Sequence, residues 1–295
     1  MTVTDLSPAP AAAGVTPQEV VDHITSAAKT SFDFGMKLLS RPRREAMRAV
    51  YAFCRVVDDI ADGDLPVEQK RTLLADWRGE IDRLYDGAPN SAIGQALVGP
   101  IQRYDLPKGE FQKMIEGMLM DANGPIVAPS MMMLSQYNRC VAGSVGMVSM
   151  RIFGAWRGVV SERFALRLAD ALQLTNILRD VEEDAGIGRI YLPAGILAEH
   201  GIEPDCATIA RHPALPLAKI ALGARARQSY TEARAEIRNH GRISLAPALA
   251  MLGVYEAYLD QMEAAGFANG FEPVQTKREK VRNGLRAVFF AGARK

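Results

Sequence analysis

Cysteine is scarce: three in 295 residues, at positions 54, 140 and 206, with no CxxC pair. That excludes a disulfide framework and offers no zinc knuckle. It suits a reducing compartment, so the chain is expected in the cytoplasm. No run of 18 apolar residues occurs, so no membrane-spanning segment is expected. Charge of one sign is not in excess: 35 Lys+Arg stand against 34 Asp+Glu, and a net charge of +1 gives no reason to expect nucleic acid as a partner. The four histidines (His23, His200, His212, His240) are followed by Ile, Gly, Pro and Gly. A His-Asp phosphohydrolase dipeptide is therefore missing. No GxGxxG follows a strand pattern, and the 12-residue pattern of an EF-hand is absent. Strand signals are few altogether.

What is present is helix. Apolar positions recur at i, i+3, i+4 and i+7, with Ala, Leu, Met, Arg and Glu between them. The pattern predicts helices near 17–38, 43–62, 67–85, 91–104, 108–120, 131–154, 161–184, 217–239, 244–265 and 275–290. Residues 86–91 (DGAPNS) and 266–273 (GFANGFEP) read as loops. The Ala/Pro-rich residues 1–16 lack the basic and apolar regions of a secretory signal and are expected to form a disordered tail. No internal repeat and no linker composition appears. At 48% hydrophobic the chain can bury a large core. The expectation is all-α, one domain over 17–295.

Two acidic patterns interrupt the apolar periodicity. In CRVVDDIADG (54–63), Asp58 and Asp62 lie four apart on the helix face that also carries Tyr51 and Arg55. Two neighbouring carboxylates repel, and burying them unpaired costs several kcal/mol. Arg55 can offset part of this and a divalent cation more. Taken alone, the motif equally fits a solvated acidic helix end. A second pattern, QLTNILRDVEEDAGIGRIYLP (173–193), places Gln173, Asn176, Asp180 and Asp184 at i, i+3, i+7 and i+11. The carboxylate pair repeats, on a helix that is otherwise apolar. The economical reading is two helices facing each other across a cavity, with hard cations held through oxygen. Mg²⁺ fits, because it uses one or two carboxylates together with substrate phosphates. In YNRCVAGSVGMVSMRIFG (137–154), Ala142, Gly146 and Ser149 make a small-residue stripe beside Val141, Val145 and Val148. That stripe fits either close helix packing or room for a long, thin apolar ligand. The basic segment 276–290 reads as an amphipathic closing helix able to touch phosphates or a membrane surface.

These motifs, with SFDFGMKLLSRPRREAMRAVYAF before the first, resemble the head-to-head isoprenoid-coupling synthases, the squalene/phytoene synthase family, from about Ser31 to about Arg286. RPRREAMRAVYAFCRVVDDIADG, WRGEIDRLYDG, GMLMDA and SVGMVSMRIFG look most like the branch that makes presqualene diphosphate for hopanoids. The resemblance implies an all-α isoprenoid-synthase fold and condensation of two farnesyl diphosphates to presqualene diphosphate with release of diphosphate. It implies Asp58, Asp62, Asp180 and Asp184 as ligands of two or three Mg²⁺ ions. Arg55, Arg179 and Arg189 would bind diphosphate, and Tyr51, Tyr137 and Tyr191 would stand near the reacting carbons. Ser31, Phe32, Gln173 and Asn176 would border substrate, with Val141 and Gly146 on the apolar wall. Ala28 and Lys29 stand where carotenoid-type relatives often carry His-Ser. NADPH is not expected. Peripheral contact with the inner face of a membrane, and with downstream hopanoid-pathway enzymes, is allowed for. Phytoene synthase, dehydrosqualene synthase and NADPH-dependent squalene synthase are the alternatives within the family. A chain-elongating prenyl synthase would share DDxxD but should carry paired arginines after it, where this chain has GDLPVEQ. A helical scaffold or lipid carrier without chemistry would have no use for two intact acid pairs.

Overall fold

The computed structural model describes residues 6–26 and 35–290; the expected donor-site residues Ser31 and Phe32 lie outside them. The described residues are helical, and their only sheet-like pairing is an isolated parallel bridge between Val127 and Ile190. No helix among them is long and apolar enough to cross a membrane. The backbone contacts separate into two compact units. Unit 1 comprises residues 1–124 and 147–156, and unit 2 comprises 125–146 and 157–295.

Unit 1 holds α1 (Pro17–Ser26), α2 (Arg41–Asp62), α3 (Val67–Tyr85), α4 (Ala92–Tyr104) and α5 (Lys108–Ala122). Pro42 starts α2, where a missing N–H costs nothing. Ser91 caps α4 by accepting from the Gly94 N–H at 2.8 Å. One face of α2 is buried from Ala46 through Ala61. Phe53 at its centre meets Trp77 and Phe111 edge-on, with ring centroids 5.7 and 5.4 Å apart. The expected tail is anchored here at two points. The carbonyl of buried Leu6 accepts the Trp77 indole N–H at 2.8 Å, and the Ala9 carbonyl accepts from the Ala92 N–H at 3.1 Å.

The predicted 131–154 helix is three pieces: α6 (Met131–Asn138), a π-helical turn Arg139–Gly143, and α7 (Ser144–Ile152). Such turns are rare and gather at functional sites. In unit 2, α8 (Val159–Arg179) packs along α11 (Leu215–Glu236). The Thr175 and Tyr230 hydroxyls lie 3.1 Å apart in that contact. The predicted 161–184 helix breaks at Asp180 (φ −98°, ψ 14°) and resumes as the short α9 (Val181–Gly186). Helix α10 (Ala194–Glu199) was not foreseen, since six residues are too few to show a period. Helices α12 (Arg242–Ala264) and α13 (Lys277–Phe290) pack so closely that a Cβ on Gly253 would fall 2.3 Å from the Asn283 carbonyl oxygen. Only glycine fits there.

Candidate active site

The first acid pair stands on the flank of α2 rather than on its buried face. Asp58 is half-buried and Asp62 exposed, one turn apart, with half-buried Tyr51 further back along the helix. The Arg55 guanidinium reaches Asp59 at 2.7 Å and Asp58 at 3.6 Å. Asp59 therefore holds Arg55 in place, leaving Asp58 the weaker contact. Burial pushes the Asp58 carboxyl up to about 7, and repulsion from Asp62, Asp59 and Asp121 adds to that, with Arg55 opposing. Although 44% of the Asp58 side chain is accessible, its carboxylate is crowded by protein and by like charge. Asp121, buried at the end of α5, was missed at the sequence level. It lies in the GMLMDA stretch, and an acid at the buried end of an apolar helix was the sign to follow. Cys54 is no nucleophile. Its thiol is pushed up to about 12 by burial and by Asp58, and it lies 3.6 Å from the Met114 sulfur.

The second acid pair is organised by the break in the helix. Because α8 stops at Arg179, the expected single face from Gln173 to Asp184 is not one continuous helix face. The Asp184 N–H still donates to the Asp180 carbonyl at 2.8 Å, so the two acids remain one turn apart. The N–H groups of Ile187 and Arg189 both return to the Asp184 carbonyl, and Gly188 (φ 82°) makes the tight turn possible. Gln173, Asn176 and Arg189 are half-buried. The Asn176 Oδ1 is buried with no hydrogen-bond partner. Buried acceptors are almost always satisfied, so this oxygen is an acceptor awaiting a donor or a cation.

Arg179 and Asp180 are joined by a bidentate pair, Nε–Oδ1 2.6 Å and Nη2–Oδ2 2.7 Å. Burial works against the Arg179 charge, but the bonds to Asp180 outweigh it and hold the guanidinium above its ordinary value. Its other face lies 5.7 Å from the Tyr258 ring centroid. Tyr258 and its neighbour Tyr255, rings 5.9 Å apart and edge-on, were not foreseen. Their i, i+3 spacing in YEAY on α12 was the available sign.

Two expected tyrosines come together. Tyr137 and Tyr191 are buried, stacked with centroids 5.1 Å apart, and the Tyr137 hydroxyl donates to that of Tyr191 at 3.2 Å. Tyr137 ends α6 just before the π turn. Tyr191 follows the Ile190 bridge, which the Ala128 and Ile190 N–H groups close at 2.8 Å each. Val141 sits half-buried within the π turn. Gly146 lies in close helix packing. A Cβ there would come within 3.2 Å of the Ala165 carbonyl oxygen on α8.

The donor set fits a hard cation. Among the described residues no three His, Cys, Asp or Glu side chains converge on a point. Each unit instead offers a carboxylate pair, and unit 2 adds the unsatisfied amide oxygen. Mg²⁺ is held in this way, with water and phosphate oxygens completing its shell.

The chain is similar to proteins already known. The family description "Squalene/phytoene synthase" matches residues 25–283. A presqualene diphosphate synthase of Rhodopseudomonas palustris is 41% identical over 259 residues, covering 87% of this chain and 92% of the relative. That of Zymomonas mobilis is 39% identical, covering 90% and 89%. A phytoene synthase of Thermus thermophilus is 35% identical, covering 83% of each chain. Among solved structures, a ligand-bound dehydrosqualene synthase superposes with a TM-score of 0.82 at 23% identity, covering 94% of this chain and 97% of that one. A squalene synthase of Alicyclobacillus acidocaldarius gives 0.78 at 24%, covering 88% and 95%.

Proposed function

Because the chain belongs to the squalene/phytoene synthase family, and is a prenyl-transferring enzyme with the all-α isoprenoid-synthase fold, we propose that it joins two farnesyl diphosphates head to head. The product is presqualene diphosphate. Each turnover releases one inorganic diphosphate and one proton. The observation that carries this reading is the second acid pair, where two carboxylates stand one turn apart beyond an unsatisfied Asn176 oxygen. The 39–41% identical relatives named presqualene diphosphate synthase support this product over the carotenoid ones.

Asp58 with Asp62, and Asp180 with Asp184, would hold Mg²⁺, which when bound neutralises the charge developing on the departing diphosphate. Arg55, Arg179 and Arg189 bind diphosphate oxygens, being permanently charged and forked. Asp59 keeps Arg55 in position, and Arg179 must exchange Asp180 for phosphate or share itself between them. The Tyr137–Tyr191 pair presents ring faces able to stabilise an allylic cation by roughly 0.5–2 kcal/mol. The Val141 wall keeps water from that cation. The proton lost at cyclopropane closure passes to the departing diphosphate or to a hydroxyl of the tyrosine pair.

Incubation with farnesyl diphosphate and Mg²⁺, with and without NADPH, and product identification by mass tests the proposal. A C30 cyclopropyl diphosphate, unchanged by NADPH, is expected. Squalene formed only with NADPH, or turnover only of geranylgeranyl diphosphate to a C40 product, overturns it.

We also propose that the enzyme contacts an anionic membrane surface through α13. Among residues 277–290 are five Lys or Arg and one Glu, in a chain of net charge +1. Phe289 and Phe290 are 61% and 62% exposed. Arg242 donates to the Phe289 carbonyl at 2.6 Å, which brings the 93%-exposed Ile243 alongside. Aromatic and aliphatic side chains ringed by arginine suit the headgroup boundary.

A further inference from the structure

Unit 2 contains a cavity of about 430 Å³ that extends from Arg179 and Asp180 to residues with no part in the proposed chemistry. Lys219, one turn into α11, lines it. Lys219 is 94% buried, a rare state for a lysine without a partner. Burial is the only influence on its titration, and it lowers the pKa, so no carboxylate stands close enough to offset the charge. Glu182, Glu183 and Glu272 also line the cavity but are exposed, and none of them forms an ion pair with Lys219. A lysine whose stem is buried and whose charge has no carboxylate beside it is destabilising. Arg179 and Asp180 form part of the same wall. Arg179 is therefore a second cation available to a ligand, at the expense of its bond to Asp180.

We infer that this cavity is a binding site for a small phosphate-type anion, with Lys219 as its buried counter-charge and Arg179 as the link to the second acid pair. The anion satisfies Lys219 and competes with Asp180 for Arg179, so its binding loosens the Arg179–Asp180 clamp. Free inorganic phosphate, released diphosphate and the head of a prenyl diphosphate share this chemistry. The coupling to Asp180 rests on the function proposed above, whereas the binding itself does not.

The test uses the full chain without Mg²⁺ or prenyl substrate. Lysines are acetylated with a small reagent and followed by peptide mass spectrometry, in chloride or, at matched ionic strength, in inorganic phosphate, inorganic diphosphate or farnesyl diphosphate. Slowing of Lys219 acetylation at least ten-fold by one or more of the phosphate anions, with exposed Lys277 unchanged, is expected. The arm that protects at the lowest concentration identifies the source. Equal protection of Lys219 and Lys277, or no reaction at Lys219 in any arm, overturns the site. As a second measurement, Lys219→Met should lose the anion-induced rise in Tm seen in the natural protein; an undiminished rise also overturns it. Protection at Lys219 in a protein that fails to couple farnesyl diphosphate would remove the proposed function and leave the anion site standing.

Discussion

Replacing Asp58 by asparagine keeps the shape of the side chain and removes the charge that its surroundings resist. In the metal-free protein the Asp58 carboxyl moves from an ordinary 3.8 to about 7, chiefly through burial and then through Asp62. Below pH 3.8 the group is protonated whether the chain is folded or not, and its contribution to stability is intact. Between about 4 and 7 the unfolded chain gives up the proton while the folded one keeps it. Stability therefore falls as pH rises and is fully lost above about 7. Roughly three decades of proton affinity would be worth ~4 kcal/mol at ~1.4 kcal/mol each for a fully buried group. With 44% of the side chain accessible, solvent screening reduces this to ~1–2 kcal/mol. At ~2–3 °C per kcal/mol for a chain of this size, that is a Tm difference of about 2–6 °C.

The assay is thermal unfolding in a chelator at pH 5 and pH 8.5. That interval spans about two of the three decades, so the natural protein should lose about 1–4 °C more than Asp58→Asn, because the other titrating groups cancel between the two. Adding Mg²⁺ with diphosphate should reverse the order. The ionised carboxylate at pH 8.5 becomes a ligand, so the natural protein gains stability and Asp58→Asn gains less. Parallel pH curves for the two proteins, together with equal stabilisation by Mg²⁺, would refute both the crowding of Asp58 and its place in the metal shell.

Asn176→Leu removes a buried oxygen that nothing satisfies, so the metal-free protein should be at least as stable, by ~1 kcal/mol in urea unfolding, while prenyl coupling falls at least 100-fold; retained turnover would contradict the ligand role. Tyr137→Phe and Tyr191→Phe each remove one end of a 3.2 Å hydrogen bond, and a double-mutant cycle on kcat should show coupling of ~1 kcal/mol or more, where strict additivity would mean the pair does not act as a unit. Phe289→Ser with Phe290→Ser should reduce co-sedimentation with vesicles containing anionic lipid at least five-fold and leave turnover of detergent-dispersed substrate unchanged; unchanged co-sedimentation would remove α13 from the membrane contact.

Much of this was legible in the amino-acid order, for a physical reason. Helical periodicity and the i, i+4 spacing of acids are local properties, so α2 through α5, α8 and α11 through α13 lie where the apolar repeat puts them, within a few residues. The two carboxylate pairs were visible because acids on an apolar repeat are costly and stand out. What was not legible depends on contacts or on small backbone departures. The break at Asp180 leaves no composition mark, since Arg-Asp-Val is compatible with a continuous helix. The π turn at 139–143 adds one residue to one turn without changing any side chain. Asp121 acts on Asp58 from a helix some sixty residues away in sequence. The close approach of Gly146 to the Ala165 carbonyl is likewise a contact that no sequence pattern displays.

The distribution of unsatisfied groups separates the binding surfaces from the scaffold. Many buried polar groups of unit 2 find their partners. Thr175 meets Tyr230, Glu256 takes both Arg227 and Arg234, and the Gln275 amide donates to the Val254 carbonyl at 2.7 Å. Asn138 Oδ1 and Asn176 Oδ1 are buried without a partner, the second on α8 just before Asp180, and Lys219 stands in the wall shared with Asp180. In unit 1 the crowded charge is Asp58. Each of these groups costs stability in the empty protein, by ~1–3 kcal/mol where fully buried. Each would be relieved by a group of opposite kind: a cation for Asp58 and Asn176, an anion for Lys219. A scaffold selected for stability alone would have replaced them with leucine. Asp58 and Asn176 belong to the two acid motifs, which is what a surface shaped by its ligand requires. It also orders the expected effects: removing Asp58 or Asn176 should spare or raise stability while removing activity, whereas disturbing Gly253 or Tyr230 should do the reverse.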